Sequence, residues 1–383
     1  MAKKQSIIAR LRKRWLVQRL MDLRLTVSGL LLLMVLTAWG TLFQKTHGLW
    51  AVLERFFYSW FVTVDAFPVA PGGRLLLWIM FANLLAATIF RLRYKLLNIG
   101  QILIHWGLLV MLVGSFVTYH YAVESTVPLH EGEATNLSQD YRAWELSVWE
   151  AQAGNSQQVY AFDATMLERD IPLEIPELGV VVTAKAYHEN TRPAPAGTIH
   201  AQNSVGEQQT LMAVEGAKDP QRNLPGGLFR VVAGDQQADV ILFGADTAPI
   251  EVTFGGKKIS FQLRHRRYVL PFVISLTDFV KKEHPGTSMP SSYESTVELR
   301  YGEIDRPVRI FMNNPLRHRN FTFYQASFAN TEMGEQSVFA VVENVGRLLP
   351  YISSGIVFAG LLVHFLVMFA MRRDPKVKRK MEA

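Results

Sequence analysis

Four stretches of the chain are almost purely apolar, and most of what lies between the last two alternates residue by residue. Residues 25–43 (LTVSGLLLLMVLTAWGTLF), 98–119 and 349–371 carry no charged residue and each can cross about 30 Å of hydrocarbon as a helix. Residues 75–90 form a shorter fourth stretch that continues into interfacial residues. In the loop 44–74, the segment 48–61 (GLWAVLERFFYSWF) places its apolar side chains near helical spacing, which predicts an amphipathic helix lying at an interface. Residues 120–348 have a different period. Alternation of two over 143–149, 179–186, 250–263 and 292–299 predicts strands, and Gly255-Gly256 between alternating runs predicts a hairpin turn. The pattern therefore predicts an integral membrane α-helical chain with four transmembrane helices and a large extracytoplasmic mainly-β domain. That domain is built as a sandwich or as two smaller β units, with a possible boundary near residue 236.

Charge sets the expected orientation. The 40 Lys+Arg and 33 Asp+Glu of this 383-residue chain leave a formal +7, a balance that by itself suggests an acidic partner such as nucleic acid. The distribution says otherwise. Eight basic residues lie in 1–24, three in 91–97 and six in 372–383, so 17 fall on one side of a four-crossing chain. The positive-inside rule makes that side cytoplasmic, with both termini inside and 120–348 outside a cytoplasmic (inner) membrane. The first span then reads as an uncleaved signal-anchor. The outer domain carries 20 basic against 28 acidic residues, which excludes nucleic acid as its partner; the basic ends suit anionic lipid headgroups of the bilayer. The chain has no cysteine, which excludes disulfides, thiolate metal sites and thiol-relay chemistry of its own.

Candidate chemistry is sparse. No Gly-x-Ser-x-Gly, His-Glu-x-x-His, phosphate-binding glycine loop or dinucleotide fingerprint occurs, so no catalytic residue is assigned. His188, His200, His265, His284 and His318 are scattered without ligand spacing, and His47, His120 and His130 sit just beyond the outer boundary. Two histidines differ. His105 in the third apolar stretch and His364 in the fourth each lie seven residues, about 10 Å, from the cytoplasmic-side boundary. Ionisable groups at such depth mark functional sites, and two neutral imidazoles at one depth suit the axial positions of a haem iron. Gly107 and Gly114 beside His105 predict a closely packed partner helix.

Three segments carry a resemblance. They are 99–118 with His105, the run LPFVISLTDFVKKEHPGTSMPSSYESTVEL (270–299), and Asn313-Asn314-Pro315-Leu316 followed by Phe321-Thr322-Phe323-Tyr324-Gln325-Ala326-Ser327. In this order, with three spans before the outer domain and one after it, the chain resembles the ResB (CcsB) family of the System II cytochrome c maturation machinery. The resemblance implies a subunit, non-catalytic or co-catalytic, of a holocytochrome c synthase complex that carries haem b outward and presents it to apocytochrome c for thioether attachment. It implies a multi-spanning CcsA/ResC-type partner, which holds the second intramembrane ligand, the outer histidines and the tryptophan-rich segment. A thioredoxin-like reductant would keep the acceptor thiols reduced. It implies His105 as an axial ligand of the haem iron and assigns nothing to His364, whose possible role as a second intramembrane ligand rests on depth alone. Tyr324 and Gln325 are open to a packing role or to gripping the apocytochrome. Two other classes compete: a membrane-anchored assembly or structural subunit of a respiratory complex without its own haem, and a dihaem cytochrome b, which would need histidine pairs at two depths.

Overall fold

The computed structural model describes residues 14–151, 158–168, 171–194, 199–202, 208–286, 290–332 and 334–373. Its contacts divide the chain into two units, one formed by residues up to 123 with those from 344 onward, the other by 124–343.

Among the described residues the first unit holds four helical stretches long and apolar enough to cross a membrane, Leu23–Phe57, Gly73–Arg91, Leu96–Tyr121 and Leu349–Arg372; their α-helical parts are α1 (Leu23–Val52), α2 (Gly73–Ala86), α3 (Ile99–Tyr121) and α4 (Leu349–Arg373). Asp22 starts α1 by accepting the Arg24 amide at 2.9 Å, which satisfies one of the donors a helix start leaves open. At Gly48 the backbone turns left-handed (φ 86°, ψ 165°), a conformation open to glycine without a Cβ penalty. The chain then folds back through a π-turn at Leu53–Phe57, burying Val52 and Phe56 with Leu36 and Leu76. The helix expected over 48–61 is present as the segment that follows the Gly48 break, and it ends at Phe57, earlier than expected. From Phe61 the chain is a strand, Phe61–Val64, paired with Phe67–Pro71.

Two contacts tie the helices together. Between α1 and α2, Asn83 accepts from Thr26 Oγ1 at 2.6 Å and donates to the carbonyls of Leu20 (2.6 Å) and Asp22 (3.0 Å). Between α3 and α4 the contact is made by small residues. A Cβ on Gly100 would lie 2.6 Å from the His364 nitrogen, one on Gly107 2.7 Å from Val357 Cγ2, and one on Gly114 2.7 Å from Leu349 Cβ. Gly360 and Ser353, also seven apart, answer from α4: a Cβ on Gly360 would lie 2.9 Å from the Gly100 carbonyl oxygen, and Ser353 is fully buried. Seven residues are close to two helical turns, so three glycines at that interval line one face and let two backbones meet. The partner helix that Gly107 and Gly114 foretold is α4.

The second unit is mainly β. A ten-stranded sheet runs in the order Ile304–Phe311, Pro290–Tyr301, Lys257–Glu283, Ala134–Glu150, Val123–His130, Gly334–Glu343, Phe321–Thr331 and Leu316–His318, with Ile250–Phe254 and Val159–Asp163 pairing alongside. A four-stranded sheet (Gln236–Phe243, Gly226–Ala233, Val180–His188, Leu173–Ile175) faces one part of it. Gly255 and Gly256, both at positive φ, turn the hairpin that pairs Phe254 with Lys257, as their position between alternating runs predicts. Two cores result. One gathers Trp144, Leu146, Val148, Val182, Phe229, Val231, Phe261 and Leu263; the other gathers Val127, Leu129, Phe272, Ile274, Leu276, Val297, Phe323 and Phe339. The 27-residue strand Lys257–Glu283 supplies both, which is why neither is a separate domain. The boundary expected near 236 is corrected accordingly. Gln236 opens a strand paired with its predecessor from Ala233↔Gln236 to Gly226↔Phe243, so 236 lies in a tight hairpin inside one sheet.

Candidate functional site

His105 is the one histidine that the apolar pattern places in the body of α3, and its surroundings follow from the helix geometry. Successive residues rotate about 100°, so His105 stands about 140° round from Gly100 and 160° from Gly107. The glycine face is occupied by α4; the imidazole consequently points to the other side, where α2 ends. There α2 passes into a π-turn, Ala87–Arg91, before the chain becomes extended at Leu92. Thr88 lies in that turn and is fully buried. Its Oγ1 donates to the Leu84 carbonyl at 2.7 Å and stands 3.2 Å from His105 Nδ1. The Thr88 carbonyl in turn accepts from the Tyr94 hydroxyl at 2.9 Å. One side of the ring is thus fixed to α2, while Nε2 has no hydrogen-bond partner among the described residues.

His364 is placed differently. Its backbone packs on Gly100, five residues or about 7.5 Å along α3 from His105. The side chain is half-buried, with its ring 5.9 Å from that of Phe365. This register sets the His364 backbone level with Gly100 on the glycine face of α3, whereas the count from the ends of the apolar runs gives the two histidines one depth.

The outer histidines fall to local partners. His47 stacks on Phe43 at 3.8 Å and contacts Thr46 Oγ1 at 2.6 Å; His130 bonds Glu133 and Thr331. His120 lines an apolar cavity of about 400 Å³ with Tyr58, Trp78, Phe81, Phe116 and Tyr119, a placement that its position at the end of an apolar run does not reveal. In the β unit, His265 stacks on Trp144 with ring centres 3.9 Å apart. Burial pushes its pKa below the ordinary histidine value, against the attraction of Asp140. No group of three or more His, Asp or Glu side chains that could hold a metal occurs among the described residues; the His200 side chain lies outside them.

The motif Tyr324-Gln325 divides between its two residues. Gln325 accepts from Ser295 Oγ at 2.7 Å and donates to Ser337 Oγ at 2.9 Å, and those two buried serines also meet at 2.9 Å. That is a closed polar lock between strands, a packing role. Tyr324 beside it stays exposed.

A ResB-like family model matches residues 93–353, more than two thirds of the sequence, including His105 and both outer-domain motifs but not His364. The chain belongs to the ResB-like family. The family acts in cytochrome c biogenesis with a partner. The chain is also similar to Protein NrfI of Wolinella succinogenes, 29% identical over 123 residues. That segment is 32% of this chain and 12% of NrfI, a far longer protein.

Proposed function

We propose that this chain is the haem-handling subunit of a System II cytochrome c synthase, which takes up haem within the membrane and helps present it to apocytochrome c on the outer side. The observation that carries the reading is His105, a half-buried imidazole in the body of an apolar span, tied by one ring nitrogen to Thr88 and open at the other. α1 to α4 cross the inner membrane with the 17 basic residues of the termini and the 91–97 loop in the cytoplasm. The β unit then lies outside, where its net negative charge faces the apocytochrome and a thiol reductant.

The residues fit a haem cargo in one respect that can be stated: a neutral imidazole with a free ring nitrogen, in apolar surroundings, supplies one axial position of an iron porphyrin. A single ligand leaves the opposite position to a multi-spanning partner of the CcsA/ResC type. Iron binding orients the cargo; the tasks left to this chain are to hold the imidazole neutral and aimed, to keep water from it through the α2–α3 contact, and to keep the complex in register. Thioether formation consumes cysteine thiols that this chain does not possess.

The test is purification with and without the multi-spanning partner, the haem spectrum being recorded for wild type and His105→Ala. Loss of copurifying haem and of cytochrome c maturation in the variant is expected. Haem and maturation both retained would overturn the assignment, and haem absent even from the complete wild-type complex would favour an assembly subunit without haem of its own.

A further inference from the structure

A threonine in a helix can turn its hydroxyl back to the carbonyl four residues earlier, and Thr88 does so: Oγ1 to the Leu84 carbonyl is 2.7 Å, the shorter of its two polar contacts. A hydroxyl has one proton to give. With that proton on the Leu84 carbonyl, the contact with His105 Nδ1 at 3.2 Å is a hydrogen bond only if the imidazole donates and Oγ1 accepts. The proton of a neutral His105 then sits on Nδ1, and the lone pair sits on Nε2.

We propose that Thr88 is a positioning residue that fixes His105 in its Nδ1–H tautomer and presents Nε2 as the open ligand. Three further observations point the same way. Thr88 is fully buried, so water does not compete for either contact. It lies within the π-turn Ala87–Arg91; such turns recur at functional sites and here end α2 against α3. Its carbonyl is held by the Tyr94 hydroxyl at 2.9 Å, which fixes the backbone that carries the side chain. The arrangement is the one by which an outer partner orients a metal-binding histidine, with a hydroxyl in place of the usual carboxylate or carbonyl. The consequence for haem rests on the function proposed above; the tautomer does not.

The experiment uses the full chain in detergent with 15N-labelled histidine, the His105 resonances being assigned by their loss in His105→Ala. Wild type and Thr88→Ser, which keeps the hydroxyl, are expected to show a protonated Nδ1 and an unprotonated Nε2. Thr88→Val, which keeps the shape and removes the hydroxyl, is expected to lose that preference. Haemin titrated into the complex with the multi-spanning partner is then expected to bind about 10–100-fold more weakly to Thr88→Val, with Thr88→Ser near wild type. An unchanged tautomer in Thr88→Val overturns the proposal; should that variant fail to fold, Thr88→Ala is read the same way. Haem binding that depends on His105 yet is equal in Thr88→Val and wild type overturns the positioning role alone. Haem binding indifferent to His105→Ala overturns the haem reading, and the 15N result then decides the tautomer by itself.

Discussion

The glycine face of α3 gives the sharpest structural prediction, because the same substitution has opposite signs at two places in one helix pair. Gly100 meets α4 backbone to backbone. A Cβ there would lie 2.6 Å from the His364 nitrogen, 2.7 Å from its Cα and 2.7 Å from the Gly360 oxygen, about 0.8 Å short of ordinary contact. None of these atoms is the end of a flexible side chain, so α4 as a whole has to move. Overpacking of this kind costs about 1–3 kcal/mol. Against it stands the higher helix propensity of alanine, about 1 kcal/mol over glycine. Gly355 on α4 has no atom within 4 Å of the position a Cβ would take, so Gly355→Ala receives the propensity gain without the clash. Comparing Gly100→Ala with Gly355→Ala cancels propensity and leaves overpacking, so Gly100→Ala should be the less stable by about 1–3 kcal/mol. Thermal or denaturant unfolding of the purified chain in one detergent measures the difference. Equal stability of the two variants would mean that α3 and α4 do not meet at Gly100, and the placement of His105 on the far side of α3 would fall with it.

Two further predictions concern polar groups. Asn83→Leu removes the acceptor of Thr26 and the donor of the Leu20 and Asp22 carbonyls, and should destabilise the helical unit by about 1–3 kcal/mol. Thr26→Val, which removes one of the three bonds, should cost less in the same unfolding assay, and the reverse order would count against the bond assignment. His265 has a folded pKa below the ordinary 6.5 because of burial, opposed by Asp140. Below about pH 6.5 the unfolded chain takes up a proton that the folded chain does not, so stability falls as pH drops from there toward the folded pKa, with a slope of at most about 1.4 kcal/mol per pH unit. His265→Phe, which keeps a ring against Trp144, should flatten that part of the curve when unfolding is followed by tryptophan fluorescence at about pH 7.5 and 5.5; an unchanged slope would place the acid sensitivity elsewhere.

What the sequence disclosed follows from how local each signal is. Apolar runs and two-residue alternation are periodic, so four long helices and a β unit are legible from them, as is the two-glycine turn at 255–256. His105 stands out because an ionisable residue in such a run is unusual. The errors come where tertiary context decides among local alternatives. The far end of the helix expected over 48–61 is one such place: the helix stops at Phe57 and a strand begins at Phe61. The expected boundary at 236 fails because the strand joining the two cores lies 21 residues further on, at Lys257. Thr88 could not be found from spacing at all. It lies 17 residues before His105, across a loop, and an isolated threonine near the end of an apolar stretch carries no signal of its own.

The same difference between local and tertiary information explains the two intramembrane histidines. Counting residues from the ends of apolar runs places His105 and His364 at one depth, because a count treats every helix as starting at the same plane. Side-chain contact replaces that count with a register, and the register is set by the residues that allow the closest approach. Gly100 accepts the His364 backbone and Gly107 accepts Ser353 and Val357, so the heights of α3 and α4 are fixed without reference to either imidazole. The rotation of α3 is fixed by the same glycines. With 100, 107 and 114 committed to α4, residue 105 has to face away from it, and α2 with its π-turn is the element that receives it. Whatever His105 meets on that face, it meets on the side of α2 and away from α4.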